Sequence, residues 1–424
     1  MVKIHKEILK YLGDASKHLP FSKLMTMKQQ ILSLILSLYL LNNCSAQLQM
    51  SNWLIGAQGV SILSFKELPS KFIPLNKKLP TRGSQAAYSD KSGKFLYGSN
   101  GFYMYNRNYT KMQNGSINLS SYLWNTNWID YGMPIHGGGG FLEDPGSDTM
   151  LYFIYTSIGT GGKIGTDTVL GPHKDKLHLL KIDMLKDSIL FKDSVILDIP
   201  QTNPSFIRHG NGKDWWIVSG EYYKTKYHIF KLTAGGITES KEQIIGQIVS
   251  DSLADCYGWI EFSMDGSKYC RNYAYEGIQV LDFDRCSGEF SNPVFVPLKK
   301  PSLFQGSGAN ISPNNRFLYS NTRQAVLQFD LLSNDIVGSM DTIAVFDNMS
   351  WNDFAQGSFG LDEKLYFQAY NGITDIAIID RPNLKGKLSN FRYHALHTSS
   401  GESIASPPIL INYKLGAIEP PCEE

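Results

Sequence analysis

An all-β fold, closed into one ring of repeated sheets, is what this sequence predicts, and three observations carry the expectation. The 424-residue chain holds Trp 7, Tyr 23, Phe 22 and Gly 38, with only 19% charged side chains. Aromatics favour strands and glycine favours tight turns, so this balance reads as many short strands joined by many hairpins. One phrase also recurs through the body: a polar turn, an aromatic strand, a short gap and a second strand. Its copies lie about 40–60 residues apart, the range of a β-propeller built from four-stranded blades.

The first element in chain order is a signal. Residues 31–41 read ILSLILSLYLL, uncharged and apolar. A membrane-crossing helix needs roughly 20 such residues, so the run is too short to span and right for the core of a secretory signal. Lys28 precedes it and the small residues of Asn42-Asn43-Cys44-Ser45-Ala46 follow it. Cleavage is expected after Ala46, leaving Gln47 first, with helix confined to this leader. Residues 27–46 form a complete signal alone, so residues 1–26 read as an upstream gene-call extension. The expected address is secreted, cell-surface or periplasmic. Cys44 offers a lipid-anchored alternative, although Asn42 and Asn43 match a lipidation site poorly.

Six copies of the phrase follow. They are Ser89–Asn106, Asp144–Ser157 with Lys176–Asp183, His209–Thr233, Ser263–Asp284, Ser312–Asp330 and Gly360–Asp380. In each, Asp, Asn or Gly supplies the turn and alternating apolar residues supply a buried face. A seventh copy is assembled from the ends: Trp53–Phe65 plus a late strand, Ile409–Tyr413, starting after Pro407-Pro408. From Gln47 onward, seven units would average about 54 residues. Residues 47–424 are therefore expected to form one seven-bladed propeller closed by both termini, with six blades as the alternative.

Net charge is +1, which gives no electrostatic footprint for nucleic acid. Beyond Cys44 the cysteines are Cys256, Cys270, Cys286 and Cys422. Their even number permits disulfides in an exported chain, with three possible pairings. The spacing of the first three makes one local bridge the expectation, without saying which. There is no C-x-x-C pair, so a zinc knuckle has no support.

Several phrases resemble one family of exported Bacteroidetes proteins, associated with type IX secretion and gliding motility. They are Trp53-Leu54-Ile55-Gly56 with Gly59, Asn100 to Asn108, Met112 to Gly115, Arg208 to Trp216, Phe283 to Gly288 and Asn412 to Gly416. The resemblance implies export and an N-terminal propeller-like scaffold, and it implies no catalytic residues. That family usually continues into a sorting module, whereas this sequence stops at Cys422-Glu423-Glu424. Another export route, periplasmic residence or a shortened gene would each account for the difference.

Four residues are the candidates for a site at the central channel: Arg208, His209, Asp214 and His136. His136 opens a His-Gly-Gly-Gly-Gly run like an esterase oxyanion loop, but no G-x-S-x-G elbow accompanies it. A glycine-rich inner strand is the better reading. His209 beside Trp215-Trp216 offers a base or metal ligand, against a turn reading in which Gly210, Asn211 and Gly212 bend the chain and Asp214 caps it. Asp255, Glu261, Asp265, Asp282 and Asp284 offer carboxylates for calcium, with turn formation the stronger expectation and no calcium-loop motif present. No nucleotide loop or H-E-x-x-H is present. The expectation is a monomeric binding module for a surface glycan or protein, with no cofactor. The alternative is a lactonase- or lyase-like enzyme at the channel mouth, since one scaffold hosts either.

Overall fold

The computed structural model describes residues 48–422, except 56–60, 76–78, 82–84, 120–128, 130–131, 134–136, 165–166, 223, 249–258, 274–275, 299–305, 323, 348–355, 369–374 and 398–406, and except the side chains of 160–172 and 306–307. The signal, the upstream extension, Cys44, His136, Asp255 and Cys256 lie outside the described residues.

Seven antiparallel sheets follow one another along the chain, each with its strands in sequence order. Blade 1 has three strands within 52–74. Six four-stranded blades follow within 86–116, 139–201, 205–244, 260–297, 306–345 and 357–397. The all-β, seven-bladed propeller read from the sequence is therefore the fold. Among the described residues the named helical element is a 3₁₀ turn at Gly386–Ser389. Among the described residues no helix is long and apolar enough to cross a membrane.

Each recurring phrase is the first hairpin and the two middle strands of a blade. In blades 2, 5, 6 and 7 the hairpins close by the same bond. Gly93 N donates to Asp90 O, Gly266 N to Ser263 O, Asn315 N to Ser312 O and Glu363 N to Gly360 O. All four donors have φ between 58° and 79°. Glycine enters that left-handed region without cost and asparagine with little. In blade 4 the first three strands are largely buried, and the fourth, Gly236–Ile244, is half-buried to exposed.

Successive first strands touch: Ala86–Ser89 with Gly139–Glu143, Ser205–Arg208 with Ile260–Phe262, Ile260–Phe262 with Gly306–Ile311, and that strand with Gly357–Phe359. They form the inner edge of the ring. Sheet faces stack between neighbours. Tyr227, Tyr269, Phe262, Phe283 and Phe290 pack blade 4 on blade 5 with ring centroids 4.9–5.8 Å apart.

Among the described residues the two ends share no sheet. Ser51 N donates to Leu48 O, the counterpart of the hairpin bond in blade 2, so Asn52–Ile55 corresponds to a second strand. Among the described residues blade 1 meets blade 7 through side chains. Trp53, Phe65 and Tyr366 meet with centroids 4.9, 5.2 and 5.7 Å apart, and the Tyr366 and Ser70 hydroxyls lie 2.9 Å apart.

Ile409–Tyr413 is not a strand. It crosses the hairpin end of the inner edge, with Ile409, Ile411 and Tyr413 buried in one cluster with Tyr88, Phe141, Phe206 and Trp215. Tyr413 donates to Phe141 O and Asn412 to Met264 O. Its side chains thus satisfy groups on several blades, which a strand in a single sheet would not do. The tail is then fixed to blades 4 and 5: Ile418 N donates to Gly210 O, and Cys286 is disulfide-bonded to Cys422 across 136 residues. The bridge is long-range, correcting the local one expected; Cys270 is free and buried.

Candidate functional site

The first hairpins of blades 2, 3 and 4 surround an open groove of about 890 Å³. Its walls include Tyr88, Arg107, Glu143, Asp148, Arg208 and Lys213. These residues are remote in sequence and meet because the first hairpins of the three blades, and the last hairpin of blade 2 that carries Arg107, lie on the same side.

Glu143, the last residue of blade 3's first strand, holds the groove together. Gln49 Nε2 donates to its Oε1 at 2.9 Å and Tyr88 Oη to the same oxygen at 3.2 Å. Arg208 pairs with its Oε2. Arg208 also donates to Lys213 O at 2.6 Å and lies 3.9 Å over the Trp215 ring. A buried guanidinium needs such partners, because an unpaired charge there would be expensive. Burial, with the Glu143 carboxylate second, pushes the Tyr88 phenol far above its ordinary range.

Three further charged groups of the wall are also committed. Arg107 donates to Met184 O at 2.9 Å and to Tyr97 Oη at 3.4 Å. Asp144 accepts from Gly146 N at 2.9 Å and pairs with Lys181 at 2.7 Å. Asp90 accepts from Ser92 and Lys94 within its own turn. The wall therefore carries both signs of charge beside the Tyr88 ring, with Asp148 and Lys213 exposed.

Of the sequence candidates, Arg208 lies in this groove, and His209 and Asp214 lie in the hairpin beside it. His209 Nε2 sits 3.0 Å from Cys286 O and Asn211 N donates to its Nδ1 at 3.0 Å. That pair of bonds requires a neutral ring protonated on Nε2. Burial and then the Lys231 charge lower its pKa, favouring the same form. Asp214 accepts from Asn211 Nδ2 at 2.8 Å. Both residues hold the turn, and His209 also ties it to the segment carrying the disulfide.

The acidic candidates divide. Asp265 accepts from Ser263 and Ser267, Asp282 pairs with Lys268, and Asp284 accepts from Cys286 N. These are turn and sheet roles. Glu261 is different: it is buried on the inner edge of blade 5. Among the described residues no three His, Cys, Asp or Glu side chains are grouped to hold a metal. Glu143, Tyr88 and Arg107 escaped the sequence reading, because nothing local marks residues that converge from separate blades.

No family model matches the chain, and no curated protein matches it. Solved structures resemble it distantly. Hydrazine synthase of Kuenenia stuttgartiensis aligns at 10% identity and a TM-score of 0.43, over 83% of this chain and 93% of that one. A putative 6-phosphogluconolactonase from Bacteroides uniformis aligns at 13% identity and 0.36, over 77% and 78%. The Cps50 (Swd1) β-propeller domain of Myceliophteria thermophila aligns at 8% identity and 0.43, over 76% and 91%.

Proposed function

We propose that the chain is an exported β-propeller that works as a binding module, using the hairpin-face groove between blades 2, 3 and 4 to hold a surface glycan or protein. The signal read in residues 27–46, with maturation after Ala46, supports export. The phrases shared with exported Bacteroidetes propellers of the type IX secretion and gliding-motility kind support the same address.

One observation carries the binding reading. The groove's buried carboxylate and guanidinium groups already satisfy one another, so they shape a fixed surface of mixed charge instead of a proton-transfer site. An acid–base enzyme places titratable groups where the substrate's protons will be. Here Glu143 faces Gln49, Tyr88 and Arg208, and Asp144 faces Lys181. A fixed polar wall with an aromatic side chain suits hydroxyl-rich or peptide partners.

The experiment is a binding screen of the purified mature chain against cell-envelope polysaccharides and surface proteins, run beside hydrolysis assays on lactone and ester substrates. Saturable binding without turnover is the expected result. Turnover abolished by Glu143→Gln would replace this reading with the enzyme.

A further inference from the structure

The inner edge changes character halfway round the ring. Two residues before the first hairpin, blades 2, 3 and 4 carry Tyr88, Leu142 and Ile207, whereas blades 5, 6 and 7 carry Glu261, Asn310 and Ser358. Glu261, Asn310 and Ser358 are at most 2% exposed.

The bonding of Glu261 is one-sided. Trp259 Nε1 at 3.3 Å and Asn310 Nδ2 both donate to Oε2, and Oε1 has no partner. No cationic side chain among the described residues contributes to its electrostatics. A proton on Oε1 would pair it with at most one neighbouring amide oxygen and leave the others without a donor.

The neighbours repeat the deficit. Asn310 Nδ2 also donates to Gly357 O at 2.9 Å, while Asn310 Oδ1 has no partner. Asn272 gives Nδ2 to Gly308 O at 3.0 Å and leaves Oδ1 unpaired. Asn321 is fully buried with neither amide atom paired, so its amide can turn without losing a bond. Gly357 keeps the space between them open: a Cβ there would lie 2.7 Å from Asn310 Oδ1 and 3.3 Å from Asn321 Nδ2. Buried polar groups in folded proteins are satisfied, so unpaired acceptors on neighbouring strands of blades 5 and 6 imply something that receives their lone pairs.

We propose that the inner edge of blades 5 to 7 binds one hard monovalent cation, sodium or potassium, through Glu261 Oε1 and the side-chain oxygens of Asn310, Asn321 and Asn272. Oxygen-only donors suit a hard cation. A single carboxylate balances a single positive charge, whereas a divalent ion would leave an uncompensated charge buried. Burial raises the Glu261 pKa to about 8, so proton and cation compete for the same oxygen.

The test melts the full chain at about pH 9, where carboxylates even of raised pKa are ionised, in sodium, potassium and choline chloride at equal ionic strength. Sodium or potassium should raise the midpoint by about 2–4 °C over choline, a cation too large to enter. That gap should narrow as pH falls through about 8. Glu261→Gln keeps the side-chain shape and should abolish it. Gly357→Ala places a Cβ 2.7 Å from Asn310 Oδ1 and 3.0 Å from Leu365 Cδ1 and should abolish it too, while Glu261→Gln, which adds no heavy atom, is the variant that keeps the fold. Equal midpoints in all three salts would mean that only water occupies the gap. That result, a gap surviving in Glu261→Gln, or stabilisation by micromolar calcium in place of the alkali ions would each overturn the proposal.

Discussion

Glu363 shows how much one side chain can conflict with its place in the fold. It occupies the hairpin position that Gly93 and Gly266 fill in other blades, at φ 60°. A left-handed conformation costs a non-glycine residue roughly 1–2 kcal/mol, part of which glycine returns through its freer unfolded chain. Glu363 is exposed, so its removal leaves no hole. Glu363→Gly should therefore raise unfolding free energy by about 0.5–1 kcal/mol in a denaturant titration. His394 makes the second residue-scale case. On the outer strand of blade 7, its Nε2 lies 2.9 Å from Asp347 and its Nδ1 3.1 Å from Asp375. Carboxylates on both sides favour the charged form of the ring. Its pKa is raised, first by the Asp347 hydrogen bond and, against some desolvation, by Asp375. A raised folded pKa gives stability that is complete below the unfolded value of about 6.5 and is lost as pH rises through the folded value. The Asp375 pKa is lowered: burial opposes this, and the His397 and His394 hydrogen bonds outweigh it. Its contribution is lost only as pH falls through its folded pKa, below about 3.9. The melting gap between the wild type and His394→Gln should be widest near pH 5–6 and close toward about pH 9; a gap independent of pH would refute the ion-pair assignment.

At the scale of elements, the tail matters most. The Cys286–Cys422 bridge closes a separation of 136 residues, and the chain-entropy account assigns such a loop about 5 kcal/mol. It also holds Ile409, Ile411 and Tyr413 against three blades. Cys422→Ser should lower the denaturant midpoint and make the tail the first trypsin target, with cleavage after exposed Lys414. Intact protein with trypsin cutting elsewhere first would contradict the account. This element also marks where sequence reading stopped. The middle strands were legible because a turn residue and an alternating face sit side by side, as in Ser263–Asp284. The tail carries the same alternation in Ile409, Ile411 and Tyr413, yet those side chains serve different blades, which pattern alone does not distinguish from one sheet. Four cysteines announced bridges, but pairing depends on which loops the ring brings together. Arg208 was found beside its Trp pair. Glu261 was grouped with turn aspartates because a buried inner-edge carboxylate looks the same in sequence.

At the scale of the whole molecule, the ring turns six local hairpins into shared surfaces. On one side the hairpins of blades 2, 3 and 4 form the groove, and the tail fills the space beside it. Neither surface exists in any blade alone, so ring closure is a condition of function. Among the described residues, blades 1 and 7 are joined by side-chain packing of Trp53, Phe65 and Tyr366. The central claim, that the groove is a fixed binding surface, is tested most directly by charge reversal at its margin. Lys213→Glu and Asp148→Lys change exposed or half-buried groups and leave Glu143 and Arg208 paired. Titration of these variants against the partner found in the binding screen should show affinity lowered at least about tenfold by one or both, the equivalent of about 1.4 kcal/mol, with melting temperature unchanged. Wild-type affinity in both variants would contradict it and place the binding surface elsewhere on the ring.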